Sequence, residues 1–130
     1  MAELEEAIRM EWEAINKMGK SHPDRANRLD SLGHKYNERY AKTGAIIDLE
    51  EAIRVEQEAI DITPQDCSDR IAYLYVLRSR CSRKYRRTGA ITDLDEAIRI
   101  SRVAIDATSQ DDAKRALFLD GLGNELGERY

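Results

Sequence analysis

The sequence predicts an all-α protein, an α-solenoid of three helical hairpins containing six antiparallel helices. Two observations predict it. The segment Glu3-Leu-Glu-Glu-Ala-Ile-Arg9 returns as Asp48-Leu-Glu-Glu-Ala-Ile-Arg54 and as Asp93-Leu-Asp-Glu-Ala-Ile-Arg99, a period of 45 residues. A period of that length marks stacked supersecondary units, each too small to bury its own apolar face. Within each period apolar residues recur at helical spacing, and β-branched residues nowhere alternate over the length of a strand. The units run from about 3 to 47, 48 to 92 and 93 to 130 and form one repeat domain. No polar capping helix closes either side, so the chain reads as a segment of a longer array with apolar surface at its ends.

The first helix of each unit is predicted from about Glu3 to Lys17, Asp48 to Ile62 and Asp93 to Ala107. Asp48 and Asp93 are expected as N-caps, with Glu51 and Glu96 three residues on completing a capping box. Leu4, Ala7, Ile8, Ala14 and Ile15 return as Leu49, Ala52, Ile53, Ala59 and Ile60, then as Leu94, Ala97, Ile98, Ala104 and Ile105. Met10, Val55 and Ile100 widen this stripe, which predicts contact with neighbours on two sides. Glu5/Arg9, Glu50/Arg54 and Asp95/Arg99 are spaced as i,i+4 surface pairs.

The second helix of each unit is predicted to begin after Ser21, Asp66 and Asp111, good N-caps at one repeat position, with Pro23 in the first turn of its helix. Its face carries Leu29, Leu32, Tyr36 and Tyr40, echoed by Leu74, Leu77, Cys81 and Tyr85 and by Leu119, Leu122, Leu126 and Tyr130. Thr43-Gly44 and Thr88-Gly89 stop the helix, because glycine adopts the left-handed conformation that closes a helix C-terminus. Arg25, Arg70 and Arg115 recur once per unit and are expected to form ion pairs with a neighbouring acidic helix.

The second helix and the acidic helix after it resemble the tetratricopeptide repeat (TPR). Leu29-x-x-Leu32-Gly33-x-x-Tyr36, followed by Ala52, Ala59 and Pro64, keeps that family's order, and Leu119, Leu122-Gly123 and Leu126 repeat it. The usual repeat is ~34 residues, and the excess is placed at the helix junctions around 41–47 and 65–69. The Asp-Leu-(Asp/Glu)-Glu-Ala-Ile-Arg signature is similar to long repeats of fungal proteins, where arrays sit beside nucleotide-binding signalling domains or CHAT-type protease domains. The resemblance implies a right-handed superhelix that binds protein or peptide in a concave groove. Carried over by position, it implies groove residues Asn27, Asp30, His34, Asn37 and Glu38, then Ala72, Tyr75, Ser79, Ser82 and Arg83, then Leu117, Asp120, Asn124 and Glu128. Members that clamp a terminal carboxylate use Lys, Arg or Asn at such places; Asn124 fits, whereas Asp30 and Asp120 carry the opposing charge. Arg78 stands where Gly33 and Gly123 stand, and is expected to snorkel out or to splay its hairpin.

The remaining residues favour interaction over catalysis. No phosphate-binding glycine loop, carboxylate dyad or Ser/His/Asp set appears, so neither an enzymatic activity nor a cofactor is expected. His22 and His34 have no ligand-spaced companions, and no metal is expected. Cys81 lies on the apolar stripe as a packed thiol. The basic run from Arg78 to Arg87 places Arg80, Arg83 and Arg87 opposite that stripe, as a solvated face. With Lys+Arg 21 against Asp+Glu 25 and a net charge of −4, nucleic acid is an unlikely partner. Trp12 aligns with Gln57 and Arg102 and is either a contact residue or a cover for its own helix. No apolar stretch approaches the ~20 residues of a membrane span, and the N-terminus lacks a signal peptide's pattern. A cytoplasmic interaction module is expected, with a self-associating structural or sensor segment of a larger signalling protein as the alternative.

Overall fold

The computed structural model describes residues 1–129, and among these it contains six helices and no strand. They are α1 (Ala2–Lys17), α2 (Arg25–Thr43), α3 (Ile46–Ile62), α4 (Ser68–Thr88), α5 (Ile91–Ala107) and α6 (Ala113–Arg129). Tyr130, predicted for the apolar stripe of α6, lies outside the described residues. The helices group into two compact units, 1–64 with α1 to α3 and 65–130 with α4 to α6. In the first, α2 packs chiefly on α3 and more lightly on α1; in the second, α5 packs on both α4 and α6.

Each core follows the predicted stripes. Leu4, Ile8 and Ile15 of α1, Leu29, Leu32, Tyr36 and Tyr40 of α2, and Leu49, Val55 and Ile60 of α3 are buried in the first unit. Leu74, Leu77 and Cys81 of α4 and Leu94, Ala97, Ile100 and Ala104 of α5 are their counterparts in the second. Burial of these side chains is the main stabilising term, ~1.5–3 kcal/mol for each large one. Trp12 is half-buried: its Nε1–H donates to Tyr36 Oη at 2.6 Å, and the Arg54 guanidinium lies 5.7 Å from its ring centroid. It therefore ties α1 to both other helices of its unit.

The helix starts differ from those expected. Ala45 and Ala90, not Asp48 and Asp93, stand at the N-caps of α3 and α5, and neither makes a side-chain cap. Thr43 and Thr88 do that work. Each hydroxyl donates to a carbonyl of the outgoing helix, at Arg39 and Lys84, and accepts the N–H of Ala45 or Ala90. Gly44 and Gly89, at φ 74° and 73°, turn the chain between. Only two residues thus separate α2 from α3 and α4 from α5, so the junction expected around 41–47 is mostly helix. Asp48 and Asp93, freed from capping, pair with cations of the preceding helix: Arg39 with Asp48 at 2.8 Å, Lys84 with Asp93 at 3.5 Å.

The second helices begin later than Ser21, Asp66 and Asp111 suggest. Asp24, Cys67 and Asp112 precede them, and Asp112 Oδ1 accepts the N–H of Lys114 at 2.8 Å. Pro23 lies in the turn before α2, not in its first turn. Arg25 and Arg115 do not seek carboxylates. Arg25 donates to the carbonyls of Ile15 and Met18, and Arg115 to those of Ile105 and Thr108, at 2.6–3.4 Å. These acceptors lie in the last turn and at the C-cap of α1 and α5, where carbonyls lack the regular helical partner; Ile15 O and Ile105 O also accept the cap N–H of Met18 and Thr108. The surface arginines also choose differently: Arg9, Arg54 and Arg99 bind Glu6, Glu51 and Glu96 three residues before them, not the residues four before.

α6 is rotated relative to expectation. Phe118, Gly121 and Glu125 are its buried residues, whereas Leu119 is 48% exposed and Leu122 and Leu126 are half-buried. The physical reason lies in neighbours. α2 and α4 are each followed by a helix that covers the Leu29 or Leu74 stripe, and among the described residues α6 packs on α5 and α4 alone.

Candidate functional site

Arg78, on α4, neither snorkels out nor splays its helix. Its side chain runs across Gly121 of α6, where it finds space because glycine has no Cβ, and Nη1 pairs with Glu125 Oε1 at 2.7 Å. The guanidinium also sits 5.4 Å from the ring centroid of Tyr75. Glu125 is buried and has two further ties to the unit: Ser82 Oγ donates to it at 3.1 Å and Ser101 Oγ at 3.3 Å. Tyr75 meets Phe118 edge to face, with centroids 5.7 Å apart. A carboxylate this deep requires such partners, since an unpaired buried charge is strongly destabilising.

Repeat register explains the arrangement. Lys35, Arg80 and Glu125 occupy one position, and Glu11, Glu56 and Ser101 another. In α1 the buried Glu11 accepts from Lys35 and Arg28, both at 3.2 Å. In the second unit the acid has moved to α6, a serine has replaced the glutamate of the first helix, and Arg78 supplies the cation. Arg80 itself is buried, which corrects its assignment to a solvated face; Arg83 is half-buried and Arg87 exposed.

Above this ion pair, α4 and α6 enclose a pocket of about 310 Å³. It is lined by Tyr75, Ser79, Ser82, Leu117, Asp120, Asn124 and Glu128, all from the expected groove set. Arg78, Arg86, Gly121 and Glu125 complete it. Sequence position alone did not mark these last four. The signal that could have found two of them is their departure from repeat: Arg78 for glycine and Glu125 for a cation, with Ser101 for glutamate beside them. Arg83 does not line the pocket. Asn27, Asp30, His34, Asn37 and Glu38 lie on α2 in the other unit; His34 Nε2 is 3.5 Å from Asp30 Oδ1, and Glu38 lines a separate depression beside Lys35 and Lys42.

The pocket's chemistry suits recognition. Ser79 Oγ donates to the Tyr75 carbonyl at 3.0 Å and accepts from Arg78 Nη2 at 3.4 Å. With Arg78 neutralised by Glu125, Asp120 and Glu128 outnumber Arg86, so the mouth is mildly acidic. Cys81 is buried, and its burial pushes the thiol pKa up to about 12, as do the charges of Glu96 and Asp93. It is protonated and inert at neutral pH. Among the described residues no cluster of His, Cys, Asp and Glu is arranged to hold a metal ion. No helix there is long and apolar enough to cross a membrane.

The chain superposes on a crystal structure from Podosopora anserina, a protein provisionally assigned as a kinesin light chain and built of nearly identical TPR-like repeats. The TM-score is 0.70 over 98% of this chain, at 14% sequence identity. The fold is TPR-like. The chain spans 60% of that neighbour's length, and at such identity the likeness concerns the fold alone. The sequence matches no protein-family profile and no curated protein.

Proposed function

We propose that this TPR-like chain is a non-catalytic, cytoplasmic interaction module that binds a peptide segment of a partner protein in the α4/α6 pocket. One observation carries the reading: Tyr75, Ser79, Asp120 and Asn124, four residues implicated by repeat position, line a single cavity. Tyr75 offers a rigid aromatic face, Asn124 and Ser79 offer hydrogen bonds to a peptide backbone, and Asp120 with Glu128 favours a basic side chain over a terminal carboxylate. The Asp-Leu-(Asp/Glu)-Glu-Ala-Ile-Arg signature supports a setting within a larger fungal-type signalling protein beside nucleotide-binding or CHAT-type domains.

Selection of a displayed random peptide library against the chain tests the reading. Selected peptides are expected to be enriched in Lys or Arg and to lose binding at least tenfold against Tyr75→Ala or Asn124→Ala, with helical content unchanged. Peptides that bind both variants as tightly as the parent remove the pocket from the proposal.

A second reading is self-association through the end helices. It is favoured by Leu119, exposed at the repeat position where Leu29 and Leu74 are buried.

A further inference from the structure

The floor of the α4/α6 pocket is built to hold a carboxylate, and the chain supplies one itself. Arg78 Nη1, Ser82 Oγ and Ser101 Oγ donate to Glu125 at 2.7, 3.1 and 3.3 Å. Donors from α4 and α5 thus converge on one group from α6. Arg78 and Glu125 both line the pocket, with side chains 13% and 5% exposed. Among the described residues the guanidinium has little else to bind: Nη2 meets Ser79 Oγ at 3.4 Å, and the buried Nε–H meets no acceptor. Without the Glu125 carboxylate, the place beside Nη1 would open to the pocket with an unneutralised charged donor on it.

The acid is peculiar to this place in the chain. In repeat register Glu125 stands where Lys35 and Arg80 stand, and Arg78 stands where Gly33 and Gly123 stand. The two departures meet in one ion pair. The pocket lining carries two cations, Arg78 and Arg86, against three acids, Asp120, Glu125 and Glu128. Loss of Glu125 would make the count two against two and leave the deepest charge positive. A buried charge acts through a lower dielectric than the charges of the rim and is less screened by salt, so the floor decides the sign that a ligand meets.

We propose that Glu125 is the specificity-determining residue of the pocket: it fills, from within the chain, a carboxylate site made by Arg78, Ser82 and Ser101, and so reserves the pocket for basic side chains. The inference rests on the peptide-binding reading and adds the residue that sets its charge preference. Discrimination works by exclusion. A ligand carboxylate finds its donors already taken and meets Asp120 and Glu128 at the mouth.

Two measurements test this, one of which needs no peptide. In the first, Glu125→Ala is melted in ~0.1 M sodium acetate and in sodium chloride of equal ionic strength. Acetate is expected to raise its Tm by about 2 °C, while the parent and Arg78→Met/Glu125→Ala gain nothing. In the second, a library-selected peptide with blocked ends and one Lys is compared, by fluorescence anisotropy, with its twin carrying Glu in place of that Lys. Glu125→Gln is expected to lower the ratio of Lys-peptide to Glu-peptide affinity at least tenfold, Arg78→Met to raise it at least threefold, and the double variant to fall between them. A merely structural role would weaken both peptides alike in both single variants. Circular dichroism checks each fold. The opposite sign expected of Arg78→Met keeps the comparison decisive if Glu125→Gln does not fold. No acetate gain in Glu125→Ala overturns the carboxylate site. An unchanged ratio in the folded single variants overturns the selecting role, whatever acetate does. A parent that binds neither peptide removes the peptide-binding reading and the selecting role with it, and the acetate result then decides the carboxylate site alone.

Discussion

The guanidinium of Arg78 occupies the space that a side chain on Gly121 would take. A Cβ at position 121 would stand 2.8 Å from Arg78 Cζ and nearer still to Nη1. This complementarity makes the ion pair with Glu125 possible, and the pair forms the floor of the pocket.

Gly121→Ala is therefore expected to destabilise the second unit. Alanine adds helix propensity worth about 1 kcal/mol, but the arginine must swing away and leave Glu125 with two serine hydroxyls. Loss of one partner of a buried pair costs about 3 kcal/mol or more, so the net effect is a loss of about 2 kcal/mol in urea unfolding. In an Arg78→Ala background the same substitution is expected to be neutral or stabilising. An equal loss in both backgrounds would show that the two residues are not coupled.

Helix number, the core stripes of five helices and the two glycine turns were legible from the sequence because each is specified locally, by spacing or by a backbone conformation. The capping aspartates were misread because an Asp near a helix start serves equally as a cap or as an ion-pair partner, and only the position of Arg39 or Lys84 decides. Arg25 and Arg115 were misread for a related reason: sequence shows the cation but not the carbonyls of a helix end. The stripe of α6 failed because burial there depends on whether another helix follows. The pocket was half legible. Repeat position found residues on its walls, whereas its floor depends on a pairing across helices, Arg78 with Glu125, that no local pattern encodes.

Gly44 and Gly89 turn the chain with positive φ. A β-carbon in that conformation costs about 1–2 kcal/mol, and nothing within 4 Å would obstruct it sterically. Gly44→Ala and Gly89→Ala are each expected to lower stability by about 1 kcal/mol, and the Asn variants by less, because Asn tolerates this region. Thermal unfolding that ranks Ala above Asn at either position would contradict the conformational account.

Arg25 and Arg115 bind carbonyls, not carboxylates, and salt distinguishes the two. Replacement of either by Ala is expected to cost about 1–2 kcal/mol, the value of hydrogen bonds from a charged donor to helix-end acceptors. That cost should change little between low salt and ~1 M salt, where an exposed ion pair would be largely screened. A cost that vanishes at high salt would restore the ion-pair interpretation.

Cys81 links stability to alkaline pH. Burial raises its thiol pKa from 9.0 to about 12, while the unfolded chain retains the ordinary value. Above the lower value the unfolded state releases the proton and the folded state keeps it, so the thiol's contribution is complete below pH 9 and falls as pH rises toward 12. Cys81→Ala removes this dependence while leaving every tyrosine and lysine in place. The gap in urea stability between the parent and Cys81→Ala is expected to shrink between about pH 8 and about pH 10.5 by at least 1 kcal/mol. Thiol labelling gives an independent measure. Cys67, which is partly exposed, should react with a neutral alkylating reagent in the folded chain, whereas Cys81 should react only after unfolding. Rapid labelling of Cys81 under native conditions, together with a pH-independent stability gap, would show that the α4–α5 interface admits solvent to the thiol.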